Sequence, residues 1–185
     1  PFRLLHGLHS VHRRLTELTE LTDSESPSRH ELSPVPCRQI NRSPTGAAFT
    51  LQGPLSPPLS VGEPILAEAE AAGRKTAPVG FAGRIQRLVT ADHQQIEIGV
   101  EKLQGRLIPV AVTGSATERT RGTNYAVLQH ATEGTQHLLL AASSIYREGD
   151  LVVVEGAQHR YNLRMLALLA GYQRIAYIVV EIAES

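Results

Sequence analysis

Asn41-Arg42-Ser43-Pro44-Thr45-Gly46 lies between two short runs that read as strands, 36–42 and 47–53. The hexapeptide is polar, contains a proline and closes on a glycine, which is the composition of a turn and not of a strand interior. Glycine at its last position suits a close backbone approach or a positive φ, either of which a side chain would forbid. Outward from this turn the same texture continues. Runs at 64–70, 78–90, 95–103 and 107–113 are short, β-branched in places and separated by breakers such as Gly53-Pro54 and Pro57-Pro58. Ile96-Glu97-Ile98-Gly99-Val100-Glu101 alternates with the period of two expected of a half-buried strand. Closely spaced strands without intervening helices predict a small antiparallel barrel.

A polar stretch without an apolar anchor, 115–123, follows and reads as a linker. Beyond it a second set of strands is expected at 124–130, 136–142, 150–156, 160–170 and 172–182. Glu148-Gly149-Asp150 and the Gly134 region supply turn signals. Leu163 to Ala170 has helical propensity, but Arg164 and the flanking Tyr161, Tyr172 and Tyr177 favour long paired strands turning at Gly171. No repeat is visible in the sequence itself.

On the N-terminal side, 22–35 is rich in Ser, Pro, Asp, Glu and His and reads as a linker, with Pro27, Pro34 and Pro36 breaking regular structure. Before it, Leu4, Leu8, Val11, Leu15 and Leu18 recur at 4-3-4-3 spacing, which predicts one amphipathic helix over 1–21. Arg13, Arg14, Glu17 and Glu20 fall elsewhere on its wheel. Such a stripe must be buried against the barrel, an upstream segment or a second copy, so a homodimer through this helix is one expectation. The fold class is therefore mainly β: a helix at 1–21, a first barrel at 36–114 and a second, barrel-like β domain at 124–185.

Composition limits the function. With 18 basic and 18 acidic residues the formal charge is zero, so no global field draws nucleic acid or anionic lipid. The single cysteine, Cys37, excludes an internal disulfide framework and fits a reducing compartment; as a small residue in a strand run it reads as half-buried. The longest apolar tract, Met165 to Ile182, is interrupted by Gly171, Gln173 and Arg174 and does not suit a membrane span. The chain reads as cytoplasmic, and its start at Pro1 reads as the start of a fragment.

The order of elements around the first turn resembles that of PilZ domains, the bacterial modules that bind the second messenger cyclic di-GMP. Their turn has the form D/N-x-S-x-x-G, matched here by Asn41 to Gly46. Further matches are the strands Cys37 to Ile40 and Ala47 to Leu51, then Val61-Gly62-Glu63-Pro64, Gly83-Arg84-Ile85 and Ile98-Gly99-Val100-Glu101-Lys102-Leu103. The resemblance spans roughly 34–113 and implies a β-barrel, no catalysis, no cofactor, and cyclic di-GMP as ligand. It places Asn41, Ser43 and Gly46 at the site, with Arg42 and Arg38 as the nearest charged contacts. The R-x-x-x-R pair that precedes the turn in ligand-binding members is not present upstream. Arginine forks suit phosphates and the O6/N7 edge of guanine, and Asn41 offers one oxygen where a carboxylate would offer two to the guanine N1–H and N2–H. The resemblance thus also implies an alternative: a PilZ-type barrel that has lost the nucleotide and acts on a protein partner.

Other clusters carry less chemistry. His6 and His9 would share a helical face, but no Cys, Asp or Glu beside them completes a zinc site. Glu63, Glu68 and Glu70 alternate with alanine as on the wet face of a strand. Ser43, Ser143 and Ser144 lack a nucleophile-elbow context, and His93, His130, His137 and His159 are scattered. Arginines and the five tyrosines of the second half could build a stacking surface for single strands, which zero net charge disfavours.

Overall fold

The computed structural model describes residues 1–20, 34–69, 79–92, 95–113, 125–130, 136–157, 159–172 and 174–183. In order these form β1 (Phe2–His6), α1 (Leu8–Glu20), β2 (Val35–Arg42), β3 (Gly46–Gln52), β4 (Pro64–Ala69), β5 (Val79–Asp92), β6 (Gln95–Lys102), β7 (Arg106–Thr113), β8 (Tyr125–His130), β9 (His137–Ala142), β10 (Leu151–Glu155), β11 (Arg160–Tyr172) and β12 (Ile175–Ile182). A short 3-10 turn at Ser143–Ile145 follows β9. Most of the expected linkers, 22–33 and 115–123, lie outside the described residues.

The strands close into two antiparallel barrels of six strands each. The first runs β1-β2-β3-β6-β5-β4 and closes where β4 pairs with β1. The second runs β7-β8-β9-β12-β11-β10 and closes where β10 pairs with β7. Both therefore have the same strand order, first-second-third-sixth-fifth-fourth, a repeat of architecture that the sequence does not display.

Two expectations are corrected, and the corrections share one cause. Residues 2–6 are a strand, not the start of a helix. Period-two alternation sends Phe2 and Leu4 into the barrel: Leu4 is fully buried in its core, and Phe2 meets Phe49 edge to face at 5.9 Å, which in turn meets Phe81 at 6.0 Å. Gly7, at φ 82°, then turns the chain into α1, and its N–H donates to the Pro64 carbonyl at 3.0 Å. Strand pairing on two sides outweighs the weak helical propensity of the segment. Because β1 supplies the sixth strand, the first barrel is already closed when the chain reaches Gln104. Arg106–Thr113 finds no free edge there and pairs with β8 and β10 instead. The boundary between the two barrels accordingly falls at Leu103/Gln104, not after residue 114, and within α1 the residues from His12 onward belong with the second unit while those up to Val11 belong with the first.

Leu8 and Val11 of α1 are buried, as are Leu5 and Leu66, which pair with each other on β1 and β4 but lie outside the barrel's core cluster. Leu15 and Leu18 are half-buried, so a dimer seam through the predicted stripe has only these two to offer. Arg13 and Arg14 form ion pairs with Glu17 at 3.5 and 3.2 Å on the polar side. Glu68 is buried, opposite Arg3 in the β1–β4 register, so β4 has no wet face there. Pairing in β11–β12 continues through Gly171↔Ala176 to Tyr172↔Ile175, so Gly171 is within the paired strands and not at the turn. The second core comprises Val110, Val112, Leu128, Leu139, Ile145, Val152, Val154, Leu163, Met165, Ile178 and Val180, with smaller alanines between. Among the described residues no helix is long and apolar enough to cross a membrane.

Candidate functional site

The predicted turn joins β2 to β3 and is held by its own backbone. Ser43 N–H donates to the Gly46 carbonyl at 2.8 Å, and Lys102 N–H donates to the Thr45 carbonyl at 2.8 Å, which ties the turn to the end of β6. The Ser43 hydroxyl lies 3.4 Å from both Thr45 Oγ1 and the Gly46 carbonyl. Gly46 is not among the glycines with positive φ; its requirement is space. A Cβ there would stand 2.5 Å from the Val100 carbonyl oxygen, inside any tolerable contact with a backbone atom.

Beside the turn, the outer face of the barrel carries a depression of about 470 Å³. Asn41, Arg42, Ser43, Thr45 and Gly46 line one side of it, with Ala48, Gly99, Gln86 and Glu101 across the rest. Register explains its shape. One outward row reads Asn41–Ala48–Gly99–Arg87 across β2, β3, β6 and β5, with small residues in the middle and long ones at the ends. The next outward row reads Gly46–Glu101–Arg84, so Glu101 has no side chain on its β3 flank.

Two β-bulges frame the depression. Ile40 is the extra residue between Gln39 and Asn41 on β2, and Gln86 is the extra residue between Ile85 and Arg87 on β5. A bulge re-aims the side chain it inserts. The Gln86 amide donates to Glu101 Oε2, which also accepts from Arg84 Nη2. The hydrogen bond from Arg84 holds the Glu101 carboxyl below the usual carboxylate range, helped by Gln86 and by the Arg84 charge against an opposing cost of partial burial. At neutral pH the depression therefore contains a fixed anion. Oε1 of the same carboxylate accepts no hydrogen bond among the described residues.

Four of the predicted site residues, Asn41, Arg42, Ser43 and Gly46, thus come together on one concave surface. Arg38 does not join them. It lies in the neighbouring outward row opposite Thr50, whose hydroxyl donates to the Arg38 carbonyl at 3.4 Å. Asn41 is also less available than its sequence position implies, because its Oδ1 already accepts from Arg42 N–H at 2.7 Å. Arg42 is exposed and makes no ion pair among the described residues. Glu101, Gln86, Ala48 and Gly99 were not singled out as site residues by sequence. The alternation of 96–101 placed Gly99 and Glu101 on one outer face, and that was the usable signal.

Elsewhere the structure disperses or joins other candidates. His6 sits on β1 and pairs with Glu63 at 3.2 Å, so it shares no helical face with His9. His12 faces Tyr125, with ring centroids 5.6 Å apart. His130 and His137, scattered in sequence, meet across β8 and β9 with ring centroids 4.6 Å apart. Desolvation and the neighbouring His130 push the His137 imidazole below its ordinary value. No group of three or more metal-ligating side chains occurs among the described residues. Tyr177 is fully buried and the other four tyrosines are half-buried. Compared with family models, curated proteins and solved structures, the chain matches none.

Proposed function

We propose that the chain is a non-enzymatic signalling module whose first barrel is of the PilZ type and binds cyclic di-GMP in the depression beside the 41–46 turn. The observation that carries this reading is the convergence of Asn41, Arg42, Ser43 and Gly46 on that one concave surface. Its floor, Ala48 and Gly99, carries no side chain larger than a methyl group, which leaves space over the sheet for a base. Arg42 is the cation within reach of a phosphate, as a fork that can donate two parallel hydrogen bonds. Calorimetric titration of cyclic di-GMP into the folded chain tests the reading. A dissociation constant of about 1–10 μM, equivalent to about 7–8 kcal/mol, is the expected result; no heat in that range would overturn it.

A second reading has its own support. Asn41 has its acceptor engaged, and of the two arginines four apart, Arg38 and Arg42, only Arg42 lines the depression, so the barrel has features of a module that has released the nucleotide and serves a protein partner. The second barrel also exposes Leu166, Leu168 and Leu169 along the bulged part of β11, as an interaction module would. If cyclic di-GMP produces no heat and Leu168→Asp leaves the chain folded but abolishes co-purification of a defined partner, this second reading stands in place of the first.

A further inference from the structure

We infer that Glu101, and not Asn41, is the residue that reads the base in this depression, and that it makes the site selective for a guanine-type edge. The inference rests on the nucleotide-binding reading above and adds the specificity element that reading lacks.

A guanine Watson–Crick edge presents two adjacent donors, N1–H and N2–H, and is matched by an acceptor with open lone pairs. Asn41 occupies the turn position where a carboxylate would serve, but its single, uncharged oxygen already accepts from Arg42 N–H at 2.7 Å, which leaves it one lone pair for two donors. Its amide nitrogen is a donor group, which opposes guanine donors. Glu101 has the opposite properties. Its Oε2 is pinned by Arg84 and Gln86, which fixes the carboxylate in one orientation before any ligand arrives. Its Oε1 keeps both lone pairs, enough to accept two converging N–H groups. The carboxyl is held ionised by the same Arg84 contact, and a hydrogen bond to a charged acceptor is about twice as strong as a neutral one.

Position agrees with chemistry. Glu101 stands one outward row from Gly99 on the same strand, so a base lying over Ala48 and Gly99 would direct an edge along β6 toward it. Gly46, its cross-strand neighbour, contributes no side chain to obstruct that approach. The bulge that turns Gln86 outward is what completes the clamp on Oε2. An adenine edge would set its N1 lone pair against the carboxylate and be rejected. Hypoxanthine, which keeps N1–H and lacks the 2-amino group, would fall between the two.

The test titrates cyclic di-GMP, cyclic di-IMP and cyclic di-AMP into the intact chain and into Glu101→Gln. Wild type should bind the guanine dinucleotide at least about ten-fold more tightly than the hypoxanthine one, and the adenine one more weakly still. Glu101→Gln should lose about ten-fold for cyclic di-GMP and, more tellingly, most of the guanine-over-hypoxanthine preference. A merely structural role for Glu101 would weaken all three ligands alike and leave that preference unchanged, which would overturn the inference. Should Glu101→Gln fail to fold, Glu101→Asp keeps the charge and withdraws it by one methylene; a retained preference there counts against Glu101 in the same way. If wild type binds none of the three, the nucleotide-binding reading itself fails and the inference falls with it. If wild type binds without discriminating between bases, only the inference fails.

Discussion

Replacing Gly46 by alanine adds one methyl group at a point where the backbone leaves no room. The new Cβ would sit 2.5 Å from the Val100 carbonyl oxygen, with Val100 C at 3.6 Å and Glu101 Cα at 3.8 Å. Reaching an ordinary contact of about 3.5 Å requires β3 and β6 to separate locally by about 1 Å. The atom in the way is main chain, so no side-chain rotation relieves it. Separation strains the pairing of Gly46 with Glu101, the turn bond from Ser43 N–H and the bond from Lys102 N–H to Thr45. Overpacking of this kind costs about 1–3 kcal/mol, and each weakened hydrogen bond about 1 kcal/mol more. Against this, alanine restricts the unfolded chain and returns about 0.4–1 kcal/mol. A net loss of about 2–5 kcal/mol is expected. Gly99→Ala is the matched control: its Cβ would meet only Arg87 Cβ at 3.4 Å, an ordinary contact on the open outer face. That substitution should be neutral or stabilising by about 0.5 kcal/mol. Urea denaturation of the pair would show it, and so would melting, at about 4–8 °C per kcal/mol for a barrel of this size. Equal stability of the two variants would refute the close approach of turn and β6 on which the site is built.

Other expectations follow from the two barrels. Leu4→Ala should cost about 2–5 kcal/mol, as a fully buried barrel residue does; a loss below about 1 kcal/mol would mean that residues 2–6 are not the closing strand. Leu8→Asp places a charge at a buried site and should increase protease sensitivity of the N-terminal segment; a digestion pattern identical to wild type would show that α1 packs against nothing. The His137 imidazole has a folded pKa below its unfolded value, so the unfolded state binds more protons as pH falls, and stability is full above about 6.5 and declines below it. His137→Gln should flatten that part of the stability–pH curve; an unchanged slope would remove the role assigned to the pair with His130.

Much of this fold was legible because barrel strands have a short period and loud punctuation. Ile96, Ile98 and Val100 point inward and Glu97, Gly99 and Glu101 outward, as their alternation predicts. The Gly53-Pro54 and Pro57-Pro58 breaks lie between β3 and β4. What stayed hidden was long-range. Leu4 fits a helical stripe and a strand equally well, and only the need for a sixth strand, met by pairing with residues near 36 and 67, decides between them. The assignment of Arg106–Thr113 depends on that same closure. The site was half legible: its turn residues follow from a local motif, while Glu101 and Gln86 reach the depression through register and a bulge that no short window of sequence reveals. Glu68 illustrates the converse, since its alternating pattern suggested water and the β1–β4 pairing buries it.

The most direct test of the central claim is a two-dimensional amide spectrum of the intact chain recorded while cyclic di-GMP is added. Saturable shifts should gather on Asn41–Gly46, Ala48 and Gly99–Lys102, with the β8–β12 resonances of the second barrel unmoved. A spectrum that does not change, or one whose shifts fall on the second barrel, would contradict the assignment of the depression as a cyclic di-GMP site.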